Sequence, residues 1–201
     1  MNENMSYLPY IATLLGILIL LGAVLYVRKL QITTGMLSRT ALLTSMVIVL
    51  SQIHFFRMPQ GGELNLGMMV PLIFLAVCYG GRITLMAGFV CGMVDMMLDP
   101  YFLHPIQVLF DYPFPFMAMA VVALFKNHII FGTLVAYVVN FLFHFISGVV
   151  FFGANAPEGV SVVYYSAVYN VSTVVPDFII CCLILYFLPV ERIRRAIKKE
   201  S

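Results

Sequence analysis

The sequence predicts an all-α integral membrane protein, a bundle of about seven helices crossing the bilayer, and three observations carry that expectation. Of its 201 residues 62% are hydrophobic and 10% are charged, whereas a soluble domain usually carries about a quarter charged residues. With a mean hydropathy of +1.01, a chain of this length cannot hide its apolar surface in a water-soluble core. The apolar residues fall in runs suited to about 30 Å of hydrocarbon, roughly 20 residues each. The cations sit beside the ends of those runs and form no stripe interleaved with aromatics, so nucleic acid is excluded as a partner and the charges speak about topology.

The first span runs near Tyr7 to Val27. Met1 to Ser6 holds Glu3 and no Lys or Arg, and no small-residue cleavage pattern follows, so this run reads as a retained membrane helix. Further spans are expected near Gly35 to Ile53, Gly67 to Tyr79, Ile83 to Leu98, Ile106 to Phe125, Ile129 to Phe152 and Ser161 to Leu188. The third and fourth are short, which suits tilted, broken or re-entrant segments meeting at Gly80-Gly81. Helix-interrupting clusters mark the ends: Pro59-Gln60-Gly61-Gly62, Gly80-Gly81, Asp99-Pro100, Lys126-Asn127-His128, and Gly153 to Gly159 with Pro157. Cys78, Cys91, Cys181 and Cys182 lie inside apolar runs with no C-x-x-C pair, and they read as small fillers without a metal or disulfide role.

Lys and Arg in short loops stay cytoplasmic. An external N-terminus then places Arg28, Lys29, Arg39, Arg82, Lys126 and the tail cations Arg192, Arg194, Arg195, Lys198 and Lys199 inside, with only Arg57 outside. The chain accordingly divides into an N-terminal helix and linker over 1–34, a membrane domain over 35–190 and a basic cytoplasmic tail over 191–201.

Ionisable groups at membrane depth are costly unless they face a protein interior or a water-filled cavity. At about 1.5 Å per residue, Asp111 on the fifth span, His144 on the sixth, and Tyr165 and Asn170 on the seventh share a depth roughly 6 to 14 Å below the external surface. Tyr112 follows Asp111, and Asn140 lies a turn deeper than His144. Three helices thus supply a carboxylate for a cation, polar groups for hydrogen bonds and aromatic rings for stacking, the pattern of a site opening outward. Pro113 and Pro115 are placed to break the fifth helix around a ligand. Plainer readings stand beside this one: His144 as an interhelical hydrogen bond, Asn140 and Asn170 as helix-helix glue, and Tyr164, Tyr165 and Tyr169 as an interfacial belt. Asp111 resists them, because no Lys or Arg lies at its depth. Asp95 is expected to reach water beside Asp99, and Asp177, after Pro176, lies near mid-membrane with no assigned role. Small residues at i and i+4, Thr40 with Thr44, Ala41 with Ser45, and Gly88 with Gly92, suit either internal packing or docking of another membrane subunit.

The run His144-Phe145-Ile146-Ser147-Gly148-Val149-Val150-Phe151-Phe152-Gly153, followed by Ala156-Pro157-Glu158-Gly159, Tyr165-Ser166 and Asn170, resembles the thiamine-specific S components of energy-coupling factor transporters. Leu66-Gly67 and Asp111-Tyr112 fit the same family, over roughly Met36 to the last span. The resemblance implies a six-helix S-component bundle to which the first helix is an addition. It implies a subunit in the plasma membrane that captures thiamine or a related precursor from outside and delivers it through a shared transmembrane subunit driven by two ATPase subunits, with no cofactor. It assigns the cation-facing acid to Asp111, with Tyr112 beside it, and ligand contacts to His144, Tyr165 and Asn170. The family stacks ligand rings on tryptophans, and this chain has none: Phe152 stands at one such position, and the others fall near Gly61 and Cys91. The family's acid is typically Glu, one methylene longer than Asp111.

No G-x-x-x-x-G-K-[ST] loop occurs, so ATP use must come from partners. Two other classes are weaker expectations: a proton-driven transporter relaying through Asp177 or Asp95, and an intramembrane enzyme with Asp111 and His144 as acid and base. The latter lacks a nucleophile motif, H-E-x-x-H or a second carboxylate beside Asp111.

Overall fold

The computed structural model describes residues 7–58 and 62–199, with side chains as far as 197. Among these residues six helices are long and apolar enough to cross a membrane, and one shorter apolar helix lies between them. The first, α1 (Leu8–Val27), is hydrophobic on all sides, and Leu14, Leu18, Leu21 and Leu25 are all more than half exposed, as for a lipid-facing helix. It docks through small residues. A Cβ on Gly16 would lie 3.3 Å from the Phe110 ring. α2 (Thr34–Ser51) starts at Thr33, whose hydroxyl accepts the Met36 N–H at 3.3 Å and so caps the helix.

The fold departs from pure helix where the chain leaves α2. Strands β1 (His54–Arg57) and β2 (Glu63–Asn65) form an antiparallel hairpin, pairing His54 with Asn65 and Arg57 with Glu63. The interrupting cluster expected there is only partly visible, since Pro59 to Gly61 lie outside the described residues. α3 (Val70–Tyr79) has 10 residues, so it is about 15 Å long and cannot cross alone. β2 and the turn after it supply the rest of the third crossing. They pack along α8 (Val162–Phe187), where a Cβ on Gly67, φ +73°, would strike Ile184 Cδ1 at 2.4 Å. Non-helical backbone here is tolerable where protein encloses it, as at the buried Asn65, Gly67 and Met69. α3 is the axis of the core: Leu72, Ile73, Leu75 and Ala76 are wholly buried.

Gly80, at φ +89°, joins α3 directly to α4 (Gly81–Leu98). The fifth span is the most irregular, comprising α5 (Pro105–Asp111), α6 (Pro113–Met117) and a 3-10 turn over Ala118–Phe125. Pro113 and Pro115 have no N–H to offer the carbonyls of Leu109 and Asp111, so the helix breaks at Tyr112, as the sequence leads one to expect. α7 (Ile129–Phe151) then packs on α8, which begins at a Ser161 cap and contains Pro176. α9 (Val190–Lys199) is short, basic and amphipathic.

Gly88 and Gly92 are spent inside this bundle. A Cβ on Gly92 would lie 2.4 Å from Pro113 Cα, and one on Gly88 2.7 Å from the Phe116 carbonyl. The docking role expected of this pair is therefore corrected: both glycines are buried, and they let α4 approach the broken fifth span. Thr40 is likewise buried, and Thr44 is half-buried, whereas Ala41 and Ser45 face outward.

Candidate ligand-binding site

Two antiparallel helices build the wall of a cavity by simple periodicity. On α7, Tyr137, Asn140, His144 and Gly148 recur at three- and four-residue steps, with Phe152 one further turn on. On α8, Tyr165, Tyr169, Thr173 and Asp177 do the same. The facing wall comes from Gln107, Asp111 and Pro115 of the fifth span and Asp95 of α4. The hairpin and Asp99–Tyr101 cover one end. These elements enclose about 340 Å³, within the range of small-molecule sites. Close approach of α7 and α8 depends on Gly148, where a Cβ would lie 2.2 Å from Ser166 Oγ.

The rim is held by charge. Arg57 pairs with Asp99 and, at 2.5 Å, with Glu63, whose other oxygen lies 2.9 Å from His54 Nδ1. The hairpin is also pinned to α8 where the Gly62 N–H donates to the Tyr169 hydroxyl at 2.9 Å. Tyr101 stacks on Phe152 with ring centroids 5.6 Å apart, leaving an aromatic wall just below the rim. Tyr112 borders the cavity, and its hydroxyl fixes the rim loop, donating to the Asp99 carbonyl at 2.8 Å and accepting the Tyr101 N–H at 2.7 Å.

One layer deeper, Asp111 Oδ2 accepts a 2.6 Å hydrogen bond from Gln107 Nε2, and Oδ1 lies 3.7 Å from His144 Nδ1. The carboxylate is therefore not isolated, but among the described residues it has no Lys or Arg beside it. Asn170 donates to the Ser166 carbonyl at 2.9 Å and Ser166 Oγ at 3.3 Å. Among the described residues no protein donor reaches its own carboxamide oxygen. Tyr165 lies over Tyr169 at 6.1 Å. Asn140 donates to the Pro115 carbonyl at 3.3 Å, so its glue reading holds: it ties α7 to the proline-broken span. At the floor, the Tyr137 hydroxyl donates to Asp177 Oδ2 at 2.6 Å.

The six residues expected to bind ligand, Asp111, Tyr112, His144, Phe152, Tyr165 and Asn170, thus border one cavity. Asp95 differs from expectation. It does not simply reach water beside Asp99 but lines the cavity near Ser51. Cys91 is buried in the core with its thiol toward the Thr44 carbonyl, outside the cavity, and Gly61 lies outside the described residues. Sequence reasoning missed Gln107, Tyr101 and Tyr137. Gln107 was accessible, since it lies one helical turn before Asp111.

Comparison with known proteins places this arrangement. Residues 37–197 match the family model described as thiamine transporter protein. The thiamine transporter ThiT of Bacillus subtilis (strain 168) is 34% identical over 167 residues, covering 74% of this chain and 86% of that protein. The protein of the same name from Lacticaseibacillus paracasei is 28% identical over 151 residues, covering 65% and 75% respectively. A solved structure of ThiT from Listeria monocytogenes superposes with a TM-score of 0.66 at 20% identity, covering 80% of this chain and 92% of that one, and it supports the helical membrane fold. With its membrane-length helices and its match over most of its length, this chain is a multi-pass membrane protein of the thiamine transporter protein family.

Proposed function

We propose that this protein is the substrate-capturing subunit of a vitamin uptake transporter, binding thiamine or a related heteroaromatic precursor from outside and carrying out no chemistry of its own. The observation that carries this reading is the charge of the cavity. Among the described residues its lining holds five carboxylates, Glu63, Asp95, Asp99, Asp111 and Asp177, against one guanidinium, Arg57, which already bridges Glu63 and Asp99 at the rim. Such a pocket concentrates and holds a cation. Asp111 faces the cationic ring, His144, Tyr165 and Asn170 supply polar contacts, and Phe152 with Tyr101 gives a stacking face in place of indole. The hairpin closes the external mouth.

The N-terminus lies outside and the basic tail inside. Delivery runs through an energy-coupling factor module of one transmembrane subunit and two ATPase subunits. The outward-facing Ala41 and Ser45 on α2 offer a close-packing surface to the transmembrane subunit. Within 1–34, α1 is an added transmembrane helix followed by a cytoplasmic linker, both outside the six-helix binding unit, and the basic tail over 191–201 is cytoplasmic.

Calorimetry on the purified chain with thiamine, its pyrimidine half and unrelated neutral vitamins tests the binding claim. Saturable binding of thiamine or its precursor is the expected result, and absence of binding to all of them refutes it. Copurification with a large membrane subunit and ATPase subunits tests the coupling. Uptake by this chain in cells lacking those subunits would favour a proton-driven route instead.

A further inference from the structure

Below the Asp111 layer the cavity ends on a second carboxylate that the contacts above leave half satisfied. Asp177 is 8% exposed. Its Oδ2 accepts from Tyr137, whose hydroxyl also lies 3.0 Å from Cys181 Sγ. Its Oδ1 is buried with no hydrogen-bond partner among the described residues. Both Asp177 and Tyr137 line the cavity, and among the described residues the only Lys or Arg in that lining is Arg57 at the rim. A desolvated carboxylate oxygen without a donor is costly, and Asp177 belongs to the lining of the cavity.

The two helices agree on the spacing. Asp177 follows Asn170 by seven residues on α8, and Tyr137 precedes His144 by seven on α7. Both steps are two turns, about 10 Å. That separation suits an elongated two-ring molecule that meets one carboxylate at each end. A ligand whose single positive charge lies at Asp111 has only neutral donors left for the other end.

We propose that Asp177, held by Tyr137, is a second recognition point of the cavity, accepting an uncharged N–H or O–H of the ligand two helical turns below the layer that faces its cation. The inference rests on the transport reading above. Thiamine carries two such donors, the amine of its pyrimidine and the hydroxyl of its side arm. Tyr137 acts as a positioning residue, fixing the carboxylate through its Oδ2.

The test measures calorimetric Kd values for three probes on the full chain, Asp177→Asn and Tyr137→Phe. The probes are thiamine, an analogue with hydrogen in place of the pyrimidine amine, and an analogue with ethyl in place of the hydroxyethyl arm. Asp177→Asn is expected to weaken thiamine about ten- to a hundredfold, as for loss of a hydrogen bond to a charged group. It should cost nothing for the one analogue that lacks the donor Asp177 receives, and which analogue that is identifies the donor. Tyr137→Phe keeps the carboxylate and should narrow the same discrimination by a smaller factor, and it carries the test if Asp177→Asn does not fold. Equal losses for all three probes, or thiamine binding within twofold of wild type, would overturn the inference alone. Wild-type protein that binds none of the probes overturns the transport reading and this inference with it.

Discussion

Replacing Asp111 with Asn removes one charge and changes little else. The side chain is 18% exposed, so an effective dielectric near 20 is the appropriate choice, and a cation about 4 Å away then gains roughly 4 kcal/mol of Coulomb energy. Desolvation of the ligand cation offsets part of this, leaving about 1.5 to 3 kcal/mol, the range of a charge-assisted contact. Asp111→Asn should therefore raise the Kd for thiamine about ten- to 150-fold. The Asn carboxamide oxygen still accepts from Gln107 Nε2, so the helix break and the cavity wall persist. The decisive comparison is an analogue with a neutral ring of the same shape in place of the thiazolium. It should bind the wild type more weakly and lose less than about threefold on substitution, because its contact with Asp111 carries no charge. An equal loss for charged and neutral ligands would refute the electrostatic role and assign Asp111 to packing.

Three further outcomes follow from particular contacts. Phe152→Trp, beside Tyr101, restores an indole face and should tighten thiamine by about two- to tenfold, as for a gain of 0.5 to 1.5 kcal/mol in ring contact; unchanged or weaker binding would show that the Tyr101–Phe152 stack is not a ligand wall. Gly92→Ala forces a Cβ to 2.4 Å from Pro113 Cα and should cost about 1 to 3 kcal/mol, lowering Tm in detergent, whereas Gly22→Ala, with no atom within 4 Å of its Cβ, should not. Ala41→Leu with Ser45→Leu should abolish copurification with a transmembrane partner while leaving thiamine affinity within twofold, and retained copurification would move the docking surface elsewhere.

Several parts of this structure were legible because a membrane makes polar residues conspicuous. Asp111, His144, Tyr165 and Asn170 stand out in apolar runs, and helical rise alone brings them to one depth. The proline pair likewise announces the break at Tyr112. What could not be read was register between helices. That Tyr137 meets Asp177 depends on how α7 slides along α8, and neither segment states this by itself. Small residues behaved in the same way: Gly88 and Gly92 signal a close neighbour without naming it, and the neighbour is the chain's own fifth span. The hairpin escaped because four- and three-residue strands carry too little periodicity to distinguish from a loop. Tyr101 sits in a segment with no period at all, whereas Gln107, one turn before Asp111, was within reach.

The distribution of carboxylates also makes the cavity a filter by sign. Arg57 neutralises the rim and its charge reaches Asp95, but Asp111 and Asp177 below face no described Lys or Arg. Each negative charge brought to about 6 Å from one of them costs roughly 3 kcal/mol at an effective dielectric of 20. A phosphate ester of the same vitamin would carry its anion into that field and be rejected by orders of magnitude. The lining would thus distinguish the free vitamin from its phosphorylated form by charge alone, before any difference in size counts.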